Sequence, residues 1–423
     1  MLQRKLLAAL VAAIAGCAGR VASAPGGASD AIAGVAAAHP LAVDAGLAVL
    51  ERGGSAVDAA VAIQAMLGLV EPQSSGLGGG AFLVHYEAAT GRVRVWDGRE
   101  VAPRGASPAQ FLGADGLPIP FDSAVIGGTA TGVPGAVPML GVAHSALGHL
   151  PWSELFAEAI HAAEQGFVVP RRLGRFANGS SAQMQQPDAR ALLWNPRAGR
   201  LIAPGDTFRN PAYAATLRAL ATRGPRALHE GPIADSIVAR LGRGARPSTM
   251  TREDLASYEP VEREALCAPF RAFIICAPPP PSSAVVALGM LRQLEHTDIA
   301  ARGPDDPRAW FLFAEASRMM YVDRDRYVAD PAFVSVPTDA LLSDSYVAAR
   351  AALIGDRAMP TPTAGSVDGI ARGDAAGYEE SGTTHFVVVD FDGNVVSMTT
   401  TVESVFGSGR VVGGFFLNNQ LTD

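Results

Sequence analysis

The chain has 423 residues, 48% of them apolar and 18% charged, with 46 Gly and 30 Pro. That balance fits a loop-rich globular protein with room for one large domain or two to three smaller ones. The net charge of −7 argues against a nucleic-acid surface, and no apolar run reaches the roughly 20 residues that span a bilayer.

The N-terminus, "MLQRKLLAALVAAIAGCAGRVASAPGG", has the layout of an export signal over residues 1–24: Arg4 and Lys5, then a short apolar run from Leu6 to Ala15. Two processing sites compete. Ile14-Ala15-Gly16-Cys17 reads as a lipoprotein box that would leave Cys17 lipidated, and Ala22-Ser23-Ala24 fits ordinary signal peptidase. The expected location is therefore the periplasm, either free or lipid-anchored.

"AAHPLAVDAGLAVLERGGSAVDAAVAIQAMLGLV" reads as two helices broken at Gly53-Gly54, with Ser55 and Asp58 spaced as a capping box. The glycine cluster of "EPQSSGLGGGAFLVHYEAATGRVRVWDGRE" lacks the Lys-Ser/Thr of a phosphate loop and the spacing of a dinucleotide fingerprint. Close backbone packing beside a hairpin, Phe82 to Tyr86 against Arg92 to Trp96, is expected instead, with Arg99 just past its end. Residues 150 to 250 are expected to be mainly helical.

Cys267 and Cys276 flank "APFRAFII". If Arg271-Ala272 makes the turn, the two cysteines face each other in a close, non-hydrogen-bonded pair that a disulfide would fit; two buried free thiols are the alternative. "ICAPPPPSSAVVALGMLRQL" is a proline entry into a helix capped by Ser282 or Ser283. Asp323 and Asp325 hint at a calcium loop but lack its Gly and distal Glu, so a solvated salt-bridge face is expected. Met359 to Ala376 has the composition of an exposed linker, and "RVVGGFFLNNQ" reads as a terminal strand with an exposed edge.

After the linker, "THFVVVDFDGNVVSMTTTVES" is a hairpin turning at Asp392-Gly393. A two-residue turn pairs Thr401 with Thr384; a three-residue loop ending in left-handed Gly393 pairs it with Thr383. Alternation puts Glu403 on the face of Thr401. Were the Gly382–Thr383 bond cut, Thr383 would hold a hydroxyl nucleophile and, in its new α-amine, a base titrating near pH ~7.7–8. Thr401 would hold that hydroxyl by hydrogen bond. An inert Thr-rich strand is the plain alternative. There is no G-x-S-x-G elbow, no H-E-x-x-H and no metal-ligand spacing among the histidines, so neither a metal nor a cofactor is expected; His385 reads as structural.

From about residue 31 onward the chain resembles the γ-glutamyltranspeptidase (glutathione hydrolase) family. The stretches that carry the resemblance are "AAHPLAVDAGLAVLERGGSAVDAAVA", "EPQSSGLGGGAFLVHY", "DGREVAP", "GVPGAV", "PPPPSS", "GTTHFVVVDFDGNVVSMTTT" and "FFLNNQLTD". The resemblance implies an α+β fold, the four-layer αββα sandwich of N-terminal-nucleophile hydrolases. It also implies self-cleavage before Thr383 into a large subunit, residues 31–382, and a small one beginning with residues 383–423. Thr383 would be nucleophile and base, Thr401 its support and Arg99 the clamp on the substrate α-carboxylate. Glu403, Gln420 and Asp423 match positions that hold the α-amino end.

The implied substrates are glutathione and other γ-glutamyl compounds, with water or an amino-acid or peptide acceptor receiving the acyl group. Other readings are a glutaryl-type β-lactam acylase and a non-catalytic exported binding protein. The family's small subunit runs far past the roughly forty residues from Thr383 to Asp423. Oxyanion-hole donors and closing strands would then be missing, and the chain alone is expected to be an incomplete sandwich without activity.

Overall fold

The structure, a computed structural model, describes residues 32–244, 246–367 and 382–422. The export signal, Cys17 and Asp423 lie outside them. A six-stranded antiparallel sheet organises the rest. Its strands are β1 (Gly34–Ala36), β2 (Gly80–Glu87), β3 (Arg92–Gly98), β4 (Val261–Glu264), β5 (Thr383–Val389) and β6 (Val395–Thr401). They stand in the order β1-β5-β6-β2-β3-β4, all neighbours antiparallel. The strands after residue 382 are therefore inserted at the centre of the sheet, between strands that precede the linker.

Alternation sorts the two faces. Phe386, Val388, Val396, Met398, Leu83 and Trp96 are buried, beneath helices α1 (Pro40–Glu51), α2 (Ala56–Val70) and α3 (Ala136–Leu147). Thr383, His385, Thr399 and Tyr86 belong to the more open face. A helical layer and a sheet layer of the αββα order are thus present among the described residues.

All fifteen residues of α2 are buried, and an all-round apolar helix of this kind belongs inside a large core. Its start is fixed by Asp58. Ser55 caps the helix through the expected capping box, and the same Asp58 carboxylate also accepts from the His149 and Leu150 backbone at 2.8 and 3.0 Å. The next free helix amide, that of Ala56, donates to Asp390 at 3.0 Å. Asp390 sits in the β5–β6 turn, where its other oxygen accepts from Asp392 and Asn394. The anion at a helix N-terminus thus fastens the hairpin to the core helix.

Elsewhere several expectations meet the structure directly. Residues 150 to 250 are mainly helical, with short two-stranded ribbons. Cys267 pairs with Cys276 across the Arg271-Ala272 turn, Cα–Cα 4.1 Å, and the sulfurs are bonded. The helix Ala284–Glu295 has Ser283 at its N-cap position, but it is the Ser282 hydroxyl that accepts from Ala284. Residues 359–367 of the linker are irregular and partly exposed.

Two expectations fail. Asp323 is fully buried on the helix Pro307–Tyr327 and paired with Arg350 at 3.1 Å, so it does not belong to a solvated face. Burial raises its carboxyl above the ordinary value, against the pull of the Gly365 amide and Arg350. The segment after Arg410 is not one exposed strand. It folds at Gly413-Gly414 into a two-stranded ribbon, and Val412, Phe415, Phe416 and Leu417 are buried. Asn210 and Thr216 donate to the turn carbonyls of Gly414 and Gly413.

Two stability predictions follow from these buried groups. Asp58→Ala leaves one buried and two part-buried amides without their acceptor and should cost about 2–4 kcal/mol, read as a lower urea midpoint. His229 is 1% exposed, and burial lowers its imidazole to about 4. Between pH 6.5 and 4 the unfolded chain binds a proton that the folded chain refuses. Stability should therefore fall with pH across that window, by about 3 kcal/mol in all. His229→Gln should remove most of that dependence, and an unchanged slope between pH 7 and 5 would assign it to another group.

Candidate active site

The β5–β6 hairpin uses the three-residue loop. Asp390 and Asn394 close it, Gly393 takes φ +80°, and Thr383 lies opposite Thr401. The Thr383 hydroxyl donates to Thr401 Oγ1 at 3.0 Å, and the Thr401 hydroxyl donates to the Gly382 carbonyl oxygen at 3.3 Å. Thr401 Oγ1 also accepts from the Glu403 amide at 2.7 Å. The hydroxyl of buried Thr401 therefore touches both the expected nucleophile and the carbonyl of the bond it would attack.

Glycine is required at two points by close approach. A Cβ on Gly382 would lie 2.1 Å from the Glu403 carbonyl oxygen, so the need is for space rather than an unusual φ. A Cβ on Gly79 would lie 1.8 Å from the Thr401 carbonyl oxygen. The glycine cluster packs backbone against the end of β6, as expected from the sequence.

Arg99, Thr383, Thr399, Thr401, Glu403 and Gln420 line one pocket. Arg99 follows the last residue of β3, with its amide held by Asp97 Oδ1 at 2.8 Å and its carbonyl by the Tyr258 hydroxyl at 2.8 Å. Glu403 reaches the pocket by another route than strand alternation. β6 ends at Thr401, and Glu403 takes φ +77° beyond it. Its Oε2 accepts from the Ser404 hydroxyl and from Asn419 Nδ2, the latter at 2.7 Å. Gln420 is set by its amide, which donates to Asn418 Oδ1 at 3.0 Å.

Asn418 is a further part of the site that sequence reasoning passed over. Its side chain donates to the Gly78 and Gly132 carbonyls and accepts from the Gly132 and Gln420 amides. A fully buried Asn with its hydrogen-bonding capacity filled is a rigid cross-brace. The paired asparagines after an apolar run were the available signal. His385 stays outside the pocket lining. Its ring nitrogens lie 2.8 Å from Thr399 Oγ1 and 3.2 Å from Ser397 Oγ, and burial lowers its pKa, consistent with a cross-strand tie. No cluster of His, Cys, Asp and Glu suited to a metal occurs among the described residues, and none of their helices is long and apolar enough to cross a membrane.

Chemically, the arrangement joins two hydrogen-bonded hydroxyls, a guanidinium and a carboxylate in one small pocket. The chain is 37% identical over 408 residues to the glutathione hydrolase proenzyme of Bacillus subtilis, covering 92% of this chain and 68% of that one. It is 35% identical over 376 residues to the acylase ACY 1 proenzyme of a Pseudomonas species, covering 88% and 65%. Its structure resembles the γ-glutamyltranspeptidase of Helicobacter pylori at a TM-score of 0.74 and 31% identity, over 78% of this chain and 94% of that one. The chain spans about two thirds of the length of the curated relatives it matches. Its fold is that of the N-terminal-nucleophile hydrolases. Residues 42–423 match the γ-glutamyltranspeptidase family, and the chain belongs to that family of hydrolases and transpeptidases.

Proposed function

We propose that the protein is an exported γ-glutamyl hydrolase and acyltransferase that matures by cutting itself between Gly382 and Thr383. The observation that carries this reading is the Thr401 hydroxyl, shared between Thr383 Oγ1 and the Gly382 carbonyl oxygen. Thr383 Oγ1 attacks the Gly382 carbonyl carbon and passes its proton to Thr401, which passes its own to the carbonyl oxygen. The adduct collapses as that proton leaves the oxygen for the nitrogen and the C–N bond breaks, so the chain becomes an ester on Thr383 with a free α-amine. Water hydrolyses that ester and leaves Thr383 as the first residue of the small subunit, with residues 31–382 as the large one.

In turnover the α-amine takes the Thr383 proton as the hydroxyl attacks the γ-amide of glutathione or another γ-glutamyl compound. The leaving amine departs protonated and a γ-glutamyl ester remains. Water or an amino-acid or peptide acceptor then releases the acyl group. Arg99 would hold the α-carboxylate with its planar fork, and Glu403 with Gln420 would hold the α-ammonium. Asp423 would join them. Cation and carboxylate in one pocket favour an amino-acid zwitterion over a glutaryl group, which has no ammonium for Glu403. The acylase relative keeps that second reading in play, and rates on γ-glutamyl and glutaryl anilides separate the two. Export to the periplasm, free or anchored at Cys17, rests on residues 1–24.

Two variants test the reading. In a full-length version, Thr383→Ala should abolish both self-cleavage and turnover, and sequencing of the small wild-type fragment should begin Thr-Thr-His-Phe. Any other first residue removes Thr383 from the role. Arg99→Lys keeps the charge and loses the fork, so KM for a γ-glutamyl anilide should rise by the equivalent of about 1.5–3 kcal/mol. An unchanged KM would rule out the carboxylate clamp.

A further inference from the structure

The loop that carries Arg99 is fastened at three points, one by its neighbour Asp97 and two by residues distant in sequence. The Arg99 amide donates to Asp97 Oδ1, and Asp97 Oδ2 accepts from Arg263 Nε on β4, both at 2.8 Å. On the other side of the residue, the Arg99 carbonyl accepts from the Tyr258 hydroxyl at 2.8 Å. Five residues on, the Arg104 amide donates to Asp254 Oδ1 at 3.1 Å. Asp97 and Tyr258 are each 5% exposed.

The Tyr258 tie is built into its surroundings. Its ring stands edge-on to His229, centroids 5.6 Å apart at 89°. Its hydroxyl occupies a slot that exists because residue 135 is glycine; a Cβ there would lie 2.2 Å from it. Burial, with the charges of Asp97 and Glu100, pushes the Tyr258 phenol above its ordinary value, so it stays a donor at any working pH. Asp97, in turn, has its second oxygen taken by Arg263, which leaves the first one facing the Arg99 amide.

A four-bond side chain places its guanidinium well only if its backbone is fixed, because each loose torsion spreads the charged end over a wider volume. We propose that Asp97 and Tyr258 are positioning residues for the substrate clamp. By holding the Arg99 backbone on both sides they set where its guanidinium meets the donor, and so set the preference for donors that carry an α-carboxylate. The proposal rests on the reading of Arg99 given above. Neither residue touches substrate.

The test is a set of variants of the self-processed full-length enzyme assayed with two donors, γ-glutamyl p-nitroanilide and 4-aminobutyryl p-nitroanilide, the second lacking only the α-carboxylate. Tyr258→Phe keeps the ring and removes the donor. It should raise KM for the γ-glutamyl donor roughly 3–10-fold, the size of one hydrogen bond, with kcat within about twofold and KM for the 4-aminobutyryl donor unchanged. Asp97→Asn, which still offers Oδ1 to the Arg99 amide, should raise KM less than Asp97→Ala. This pair carries the test if Tyr258→Phe fails to fold.

An equal rise for both donors, no rise at all, or equal effects of Asp97→Asn and Asp97→Ala would overturn the positioning role. Arg99→Lys in the same series separates the two levels. If it raises KM while Tyr258→Phe does not, the clamp stands and only the positioning fails. If Arg99→Lys itself changes nothing, the clamp fails and the positioning with it.

Discussion

The site depends on a single cross-strand register. Thr383 faces Thr401, and a slip by one residue would turn every β5 side chain to the opposite face. The register is fixed at the far end of the hairpin, where Gly393 accepts a left-handed conformation that costs most residues energy. Asp390 then ties that turn to the start of the buried helix α2. Thr383 is thus aligned from the far end of the hairpin by a glycine, a carboxylate and a helix terminus.

Around that register the site is assembled by close packing of main chain rather than by large side chains. Gly79 and Gly382 leave no room for a Cβ, which brings the Thr401 and Glu403 carbonyls against neighbouring backbone. Asn418 braces the loops at Gly78 and Gly132. Such contacts leave little freedom for the backbone, a condition that suits a site where a hydroxyl must sit within reach of one chosen carbonyl. The charged groups come from the same end of the sheet, on either side of β2: Arg99 follows β3 and Glu403 follows β6.

What could be read from the sequence was local. The Ser55–Asp58 capping box, the Asp392-Gly393 turn and the Cys267–Cys276 spacing each follow from rules that span a few residues, and each has its counterpart in the structure. Asp323 was misjudged because alternating charges on a helix look the same whether their partner is water or, as here, Arg350 from another helix. The ribbon after Arg410 was misjudged because its cover comes from Asn210 and Thr216, two hundred residues earlier. The Tyr258 hold on Arg99 spans 159 residues and carries no local signature at all. Glu403 reached the pocket through a left-handed backbone that strand alternation does not describe.

The central claim is that the Thr401 hydroxyl, not merely its bulk, links the nucleophile to the scissile carbonyl. Its direct test is the rate of self-cleavage, followed by intact-mass spectrometry from freshly made precursor, in Thr401→Ser and Thr401→Val. The serine variant keeps the hydroxyl and should cleave within a few-fold of the parent. The valine variant keeps the shape and loses a donor aimed at the carbonyl oxygen, and it should cleave roughly 10²–10³ times more slowly. Cleavage of the valine variant at the parental rate would contradict the account.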